Sequence, residues 1–133
     1  MDTRTKIISL GEAAEMAERV RSEGRQLTLA TGCFDVLQAA HARFLNGLRS
    51  DSSVLLVAVY GDAALCEIRR QPKPLLSAQA RAQLVAAFGA VDYVLIWPGA
   101  SLDPLIDRLG PGHVERVTEE RNIIEEVIAR HKE

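Results

Sequence analysis

Cysteine, long apolar runs and surplus positive charge are all scarce in this chain of 133 residues. Two cysteines, Cys33 and Cys66, are too few for a disulfide scaffold, and their spacing suits no zinc site. No apolar run is long enough to cross a bilayer, and the first residues lead into no apolar signal core. The formal net charge of -2 gives no basic surplus for binding a nucleic-acid backbone. We therefore expect a cytoplasmic protein that binds neither membrane nor nucleic acid.

What the chain does contain is apolar material for a core. Hydrophobic residues make up 47% of the sequence, which argues against disorder. The length is that of one domain with one core, and no linker, repeat or low-complexity tract divides it. We expect a single domain over residues 1–133.

Strand and helix patterns alternate along the chain. Ser9 and Glu12 form the signature of a capping box at the start of a helix, and Gly24 is expected to end that helix in a left-handed conformation. Strands are expected at 27–31, 54–59 and 91–97, with a possible fourth at 114–117. Helices are expected before the first strand, from about 39, after 62, over 78–88, from 103, and from about 118. The apolar residues of the helix after 62 are Ala64, Leu65 and Ile68, and those of the helix over 78–88 are Leu84, Val85 and Phe88. This order predicts an α/β fold, a Rossmann-like doubly wound parallel sheet with helices on both faces.

The segment Thr31–His41 follows the first strand and leads into a helix. In a doubly wound sheet, ligands bind beyond the carboxyl ends of the strands where the strand order reverses. We expect Gly32 to let the backbone turn sharply and a ligand come close. The helix start that follows presents free N–H groups to an anion. The segment is neither a G-x-G-x-x-G loop nor a Walker A loop.

The letters of this segment, TGCFDVLQAAH, resemble the signature G-x-F-D-x-x-H-x-G-H of the cytidylyltransferase-like nucleotidyltransferases. Within that family the chain is most similar to the adenylyltransferase domains that act on heptose 1-phosphate. The likeness covers most of the chain, because "ARFL", "VLLVAVYGDA", "KPLLSAQARAQLVAAFGAVDYVLIW" and "PLIDRLGP" follow in the family's order and spacing.

The resemblance implies a biosynthetic transferase. Such an enzyme joins a nucleoside triphosphate, here ATP or CTP, to a phosphorylated sugar or polyol and releases pyrophosphate. The small-molecule phosphate attacks the α-phosphorus in line, so positioning and charge stabilisation dominate catalysis. The resemblance also implies Mg²⁺ with the triphosphate. Domains of this kind often pair, so a homodimer is possible, and the apolar stripe expected in the last helix is either core or a subunit contact.

The resemblance also assigns roles to individual residues. His41 matches the second signature histidine, Gln38 stands at the first, and Arg81 matches an arginine that could bind phosphate through its planar fork. These three are the candidate catalytic residues. The candidate nucleotide-binding residues are Gly32, Cys33, Phe34, Ala40, Asp62 and Lys73. No residue is assigned to a metal.

Two departures from the signature leave a second interpretation open. Gln38 replaces a histidine, and losing a charge-assisted contact to phosphate costs about 1.5–3 kcal/mol. Ala40 replaces a glycine where the backbone would approach the phosphates. The family's Ser/Thr-rich helix start is reduced to Thr118. The alternative is therefore a catalytically impaired relative that binds nucleotide as a sensor or partner subunit.

Each candidate also has an interpretation without a ligand. His41 could be a helix-surface or helix-start histidine, and Arg81 an ordinary solvated helix residue. Cys33 is expected to be a small buried residue rather than a nucleophile, and Asp35 to fix a turn rather than bind a metal. Trp97 is expected to pack on the core, and His113 and His131 are expected to be surface residues. Either one of Arg69, Arg70 and Lys73 faces a phosphate, or all three form a solvated charged surface.

Overall fold

The computed structural model of the chain describes residues 2–117. The helix expected from Thr118, with its apolar stripe, lies outside these residues, as does His131. The helices are α1 Leu10–Ser22, α2 Ala39–Leu48, α3 Asp62–Arg69, α4 Ala78–Ala86 and α5 Asp103–Leu109, preceded by a short 3-10 helix at Thr3–Lys6. The strands are β1 Gln26–Gly32, β2 Ser53–Tyr60, β3 Tyr93–Trp97 and β4 His113–Arg116.

The strands form one parallel sheet in the order β3-β2-β1-β4. Leu29 of β1 lies opposite Leu56 of β2 and Val114 of β4, so β1 is central. The predicted single-domain, Rossmann-like α/β fold is confirmed, and the possible fourth strand is present. Because β2 and β3 lie on one side of β1 and β4 on the other, the strand order reverses between β1 and β4.

Strand β2 shows why both faces of the sheet must be covered. All its residues are buried, and successive side chains point to opposite faces. Leu56 and Ala58 join a cluster with residues of α1 and α5, such as Met16 and Leu105. Leu55, Val57 and Val59 join a second cluster on the other face. The residues of α2 and α4 in that second cluster are Leu45, Ala82, Val85 and Ala86. Helices therefore pack on both faces.

Helix α1 begins and ends as its sequence predicts. The Ser9 hydroxyl accepts from the Glu12 N–H, and the Glu12 carboxylate accepts from the Ser9 N–H, which completes the capping box. At the other end, Gly24 adopts a φ of 73°. This left-handed conformation costs glycine little, so the chain can turn directly into β1.

Two apolar residues that we placed on buried helix faces are exposed instead. Ile68 of α3 is 42% exposed and Leu84 of α4 is 44% exposed. In α4 the buried face consists of Arg81, Ala82, Val85 and Ala86, so it is rotated from the face that Leu84 and Val85 predicted. The reason is Arg81, whose side chain is fully buried although a charged residue is expected in solvent.

Candidate functional site

The segment Thr31–His41 lies at the carboxyl end of β1, the strand at which the order of the sheet reverses. Gly32 ends β1, and α2 begins at Ala39. The first N–H groups of α2 have no carbonyl four residues earlier within the helix, and the helix dipole is positive there. The topology thus places a helix start, an element whose free N–H groups attract anions, at the position where sheets of this kind bind ligands.

The sharp turn in this segment is made by Phe34 rather than by Gly32. Phe34 has a φ of 52°, whereas Gly32 is not among the residues with positive φ. Positive φ in a bulky residue costs on the order of 1–3 kcal/mol and recurs at functional sites. Glycine is required at position 32 for space, since a Cβ there would lie 3.0 Å from Cε2 of Phe34 and 3.1 Å from Cβ of Val117. Our expectation that Gly32 makes the turn is wrong.

His41 is held at the start of α2 with a fixed ring orientation. Its side chain is 1% exposed, so it is not a helix-surface histidine. The Gln38 backbone N–H donates to Nδ1 of His41 at 3.0 Å, and the ring packs 5.7 Å, centroid to centroid, from that of Phe34. Because an N–H can only donate, Nδ1 is the acceptor and the neutral ring carries its proton on Nε2. Burial lowers the pKa of His41, which favours this neutral form.

Gln38 and Ala40 both precede His41 in the sequence and take different places in the structure. Gln38 is the N-cap of α2, with extended backbone angles, and is half-buried. Ala40 is the second residue of the helix, and it is half-buried too. The backbone N–H of Ala40 is one of the helix-start donors that an anion would meet.

Asp35 ties the segment to the loop between α3 and α4, residues 70–77. Its carboxylate is 4% exposed. It accepts hydrogen bonds from the N–H groups of Leu75 and Leu76, both at 2.8 Å, and from Nε2 of Gln71 at 3.3 Å. Asp35 therefore fixes backbone, as expected, although what it fixes is a distant loop rather than only its own turn. Sequence reasoning missed Gln71, Leu75 and Leu76 because they act through backbone and amide groups.

Arg81 is neither solvated nor open to a phosphate in this structure. Its side chain is fully buried. Nη1 donates to the carbonyls of Cys33 at 2.8 Å and Tyr60 at 2.7 Å, and Nε donates to the carbonyl of Leu76 at 3.0 Å. Nη2 pairs with the Asp62 carboxylate at 2.8 Å. The alternative in which Arg81 is an ordinary solvated helix residue is therefore wrong.

Asp62 and Cys33 both accept hydrogen bonds from Arg81, so the three residues form one connected group. The Asp62 carboxylate, half-exposed in the first turn of α3, also accepts from the Ala78 N–H at 2.8 Å. Cys33 is buried, as expected, and contributes its backbone carbonyl. The structure brings Cys33, Asp62 and Arg81 together at the carboxyl end of the sheet.

Lys73 lies in the α3–α4 loop with an exposed side chain. Its carbonyl accepts from Nε2 of Gln71 at 3.0 Å, and the same Gln71 amide donates to Asp35. The backbone of Lys73 is therefore connected to segment 31–41 through the hydrogen bonds of Gln71, while its side-chain charge lies in solvent. Arg70, beside it, has a φ of 54° and is exposed.

Two residues outside segment 31–41 behave as the sequence predicts. Trp97 packs against the core, and its Nε1 donates to the Ser101 carbonyl at 2.8 Å. His113 is a surface residue whose ring nitrogen lies 2.7 Å from the Glu115 carboxylate. His113 is the first residue of β4 and pairs with Thr28 of β1, so it lies away from the carboxyl ends of the strands.

A groove at the opposite, amino-terminal edge of the sheet is lined by Arg21, Arg25 and Gln26. Nη2 of Arg21 there donates to the Leu109 carbonyl at 3.1 Å. The arginine thus caps the carbonyl end of α5, a common structural use of a basic side chain.

Residues 2–117 contain no group of three or more His, Cys, Asp or Glu side chains arranged to hold a metal ion. None of the helices in this part of the chain has the length and apolarity needed to span a membrane.

Comparison with known proteins places the chain beside bifunctional proteins called HldE. It is 30% identical over 110 residues to "Bifunctional protein HldE" of Citrifermentans bemidjiense. The aligned residues are 83% of this chain and 23% of that protein. The protein of the same name from Geobacter metallireducens is also 30% identical over 110 residues, or 22% of its length. No protein-family model matches the chain.

A solved structure shares the fold. The lipopolysaccharide core biosynthesis protein from Thermoplasma volcanium GSS1 superposes with a TM-score of 0.59 at 20% identity, over 67% of this chain and 71% of that one. The predicted resemblance is confirmed by these matches. The chain spans less than a quarter of the HldE proteins that it matches.

Proposed function

We propose that this chain is a nucleotidyltransferase that joins ATP or CTP to a phosphorylated sugar or polyol and releases pyrophosphate. In this proposal the triphosphate lies across the start of α2, at the carboxyl end of β1. The acceptor's phosphate oxygen attacks the α-phosphorus, a new P–O bond forms, and the bond to the departing pyrophosphate breaks. The relationship to HldE proteins supports the reaction class.

The orientation of His41 is the observation that carries this proposal. Because Nδ1 accepts from the Gln38 N–H, the Nε2–H is the group that the ring would offer to a phosphate oxygen. Since His41 is 1% exposed, a phosphate must displace the atoms that cover the ring in order to reach Nε2. A donor held rigidly beside a helix start needs no reorganisation when charge develops on the transferred phosphoryl group. His41 would therefore act as a neutral donor rather than as an acid, since burial lowers its pKa.

The remaining groups supply positive potential and backbone donors. The first N–H groups of α2, including that of Ala40, would bind phosphate oxygens. Lys73, exposed in a loop that Asp35 and Gln71 fix, would add a mobile positive charge at the edge of the site. Mg²⁺ would accompany the triphosphate and offset its charge.

The proposal is tested by a pyrophosphate-release assay with ATP and CTP against a panel of sugar phosphates and polyol phosphates. We expect turnover with at least one pair, and a fall of about 10²–10³-fold in His41→Ala, the usual effect of removing one transition-state donor. His113→Ala is the matched control, because it deletes an imidazole at the surface of β4. Silence with every pair from a folded protein, or an unaffected His41→Ala enzyme, would contradict the proposal.

Gln38 and Ala40 support a second candidate, a relative that binds nucleotide without turning it over. The neutral Gln38 amide can donate hydrogen bonds but cannot become a cation, and the Ala40 methyl group narrows the approach to the helix start. This candidate predicts ATP or CTP binding by calorimetry with no pyrophosphate release. The double change Gln38→His with Ala40→Gly would then create activity if the rest of the pocket is intact. A purely structural domain would bind neither nucleotide.

A further inference from the structure

We infer that Arg81 is a positioning residue that sets the shape of the nucleotide site by clamping the ends of β1 and β2 to the α3–α4 loop, and that it does not itself bind phosphate. The inference rests on the proposed function only for the identity of the ligand. The clamp itself is a property of the folded chain.

The guanidinium group of Arg81 donates its hydrogen bonds to acceptors within the protein. An arginine offers five N–H donors in a rigid plane. Four of them are used within the protein, on the carbonyls of Cys33, Tyr60 and Leu76 and on the Asp62 carboxylate. A phosphate could take this fork only by displacing these acceptors, which would then be left buried or half-buried without their donor.

The three carbonyl acceptors belong to separate segments of the chain. The Cys33 carbonyl lies in the segment after β1, the Tyr60 carbonyl at the end of β2, and the Leu76 carbonyl in the α3–α4 loop. These three connections surround the carboxyl ends of the two central strands. One planar group therefore fixes their mutual spacing, which a more flexible lysine ammonium would not reproduce.

Asp35 makes a second connection between the same segments. The Asp35 carboxylate accepts hydrogen bonds from the N–H groups of Leu75 and Leu76, while Arg81 donates to the carbonyls of Leu76 and Cys33. Segment 31–41 and the α3–α4 loop are thus joined twice, once through each buried charged side chain. Releasing either connection should loosen the loop that carries Lys73 as well as the start of α2.

Amide hydrogen exchange of the free protein tests the clamp without any ligand. In Arg81→Lys we expect the amides of Leu75 and Leu76 to exchange about tenfold faster than in the unmodified chain, as the loss of one strong hydrogen bond implies. Arg108→Lys is the matched control, because Arg108 is an exposed arginine of α5 on the opposite face. Equal protection of the two amides in both variants would overturn the inference.

A second measurement distinguishes a positioning role of Arg81 from phosphate binding by Arg81. It uses the unmodified chain, so it does not require a variant to fold. The arginine side-chain Nε–H of Arg81 is followed by nuclear magnetic resonance in the unmodified chain while ATP or CTP is added. We expect the backbone amides of residues 32–41 to shift, whereas the Arg81 Nε–H stays protected from exchange and shifts less than they do. A shift of the Arg81 Nε–H larger than theirs would show a direct ligand and overturn the inference.

The two measurements also separate this inference from the proposed function. If neither nucleotide shifts any resonance, the proposed function fails, and the exchange rates of Leu75 and Leu76 still decide whether Arg81 is a clamp. If nucleotide binds and the exchange rates are unchanged in Arg81→Lys, the nucleotide site of the proposed function stands and the clamp is wrong.

Discussion

A methyl group at position 32 would have almost no room, and this makes Gly32→Ala a quantitative test of the site's packing. The added Cβ would lie 3.0 and 3.2 Å from Cε2 and Cζ of Phe34 and 3.1 Å from Cβ of Val117. Carbon atoms normally pack at about 3.5–4.0 Å. Phe34 is fully buried and already has a positive φ, so its ring cannot move away cheaply. Overpacking of this kind costs about 1–3 kcal/mol.

Urea unfolding of Gly32→Ala beside Gly47→Ala measures this cost. Gly47 lies in α2, and a Cβ there would meet nothing within 4 Å. Alanine should therefore stabilise that helix by about 0.5–1 kcal/mol, so the same chemical change has opposite signs at the two sites. Gly32→Ala should also reduce turnover, because the Phe34 ring packs on His41. If Gly32→Ala were as stable as the unmodified chain, the packing explanation would be refuted.

Two further predictions concern buried polar groups. Burial lowers the pKa of His41, so the stability that depends on its neutral ring is fully present above the ordinary pKa of 6.5 and is lost as the pH falls through 6.5 toward the folded-state pKa. Urea unfolding from pH 8 to pH 5 should show this loss, and His41→Gln should remove much of it. An unchanged dependence of the unfolding free energy on pH in His41→Gln would refute this explanation. Asp35→Asn should destabilise the chain by about 1–3 kcal/mol, because an amide has only one oxygen for the two N–H groups of Leu75 and Leu76. Unfolding free energies of the two chains check this prediction. A difference near zero would show that the contact with the α3–α4 loop is dispensable.

Much of the fold follows from local patterns in the sequence. The capping box at Ser9 and the left-handed Gly24 depend on neighbouring residues only, so their positions could be predicted. The continuous apolar run of β2 likewise requires cover on both faces. Helix α4 is different, because its orientation depends on a buried arginine whose acceptors lie far away in the chain. Hydrophobic periodicity could not reveal that Leu84 faces solvent.

The placement of segment 31–41 at the carboxyl end of β1 could be predicted, and its internal geometry could not. The strand-to-helix segment and its family signature indicated residues 31–41. That Phe34 rather than Gly32 makes the turn depends on the packing of its ring against Gly32. That Asp35 holds the α3–α4 loop depends on backbone N–H groups, which leave no trace in side-chain patterns.

Titration of the isotopically labelled chain with ATP and with CTP, followed through its backbone amide resonances, tests the central claim most directly. We predict saturable shifts concentrated in residues 32–41, strongest around His41 and the start of α2, and abolished or weakened in His41→Ala but not in His113→Ala. Shifts confined to the groove of Arg21, Arg25 and Gln26 at the other edge of the sheet, or none at all at millimolar nucleotide, would contradict it.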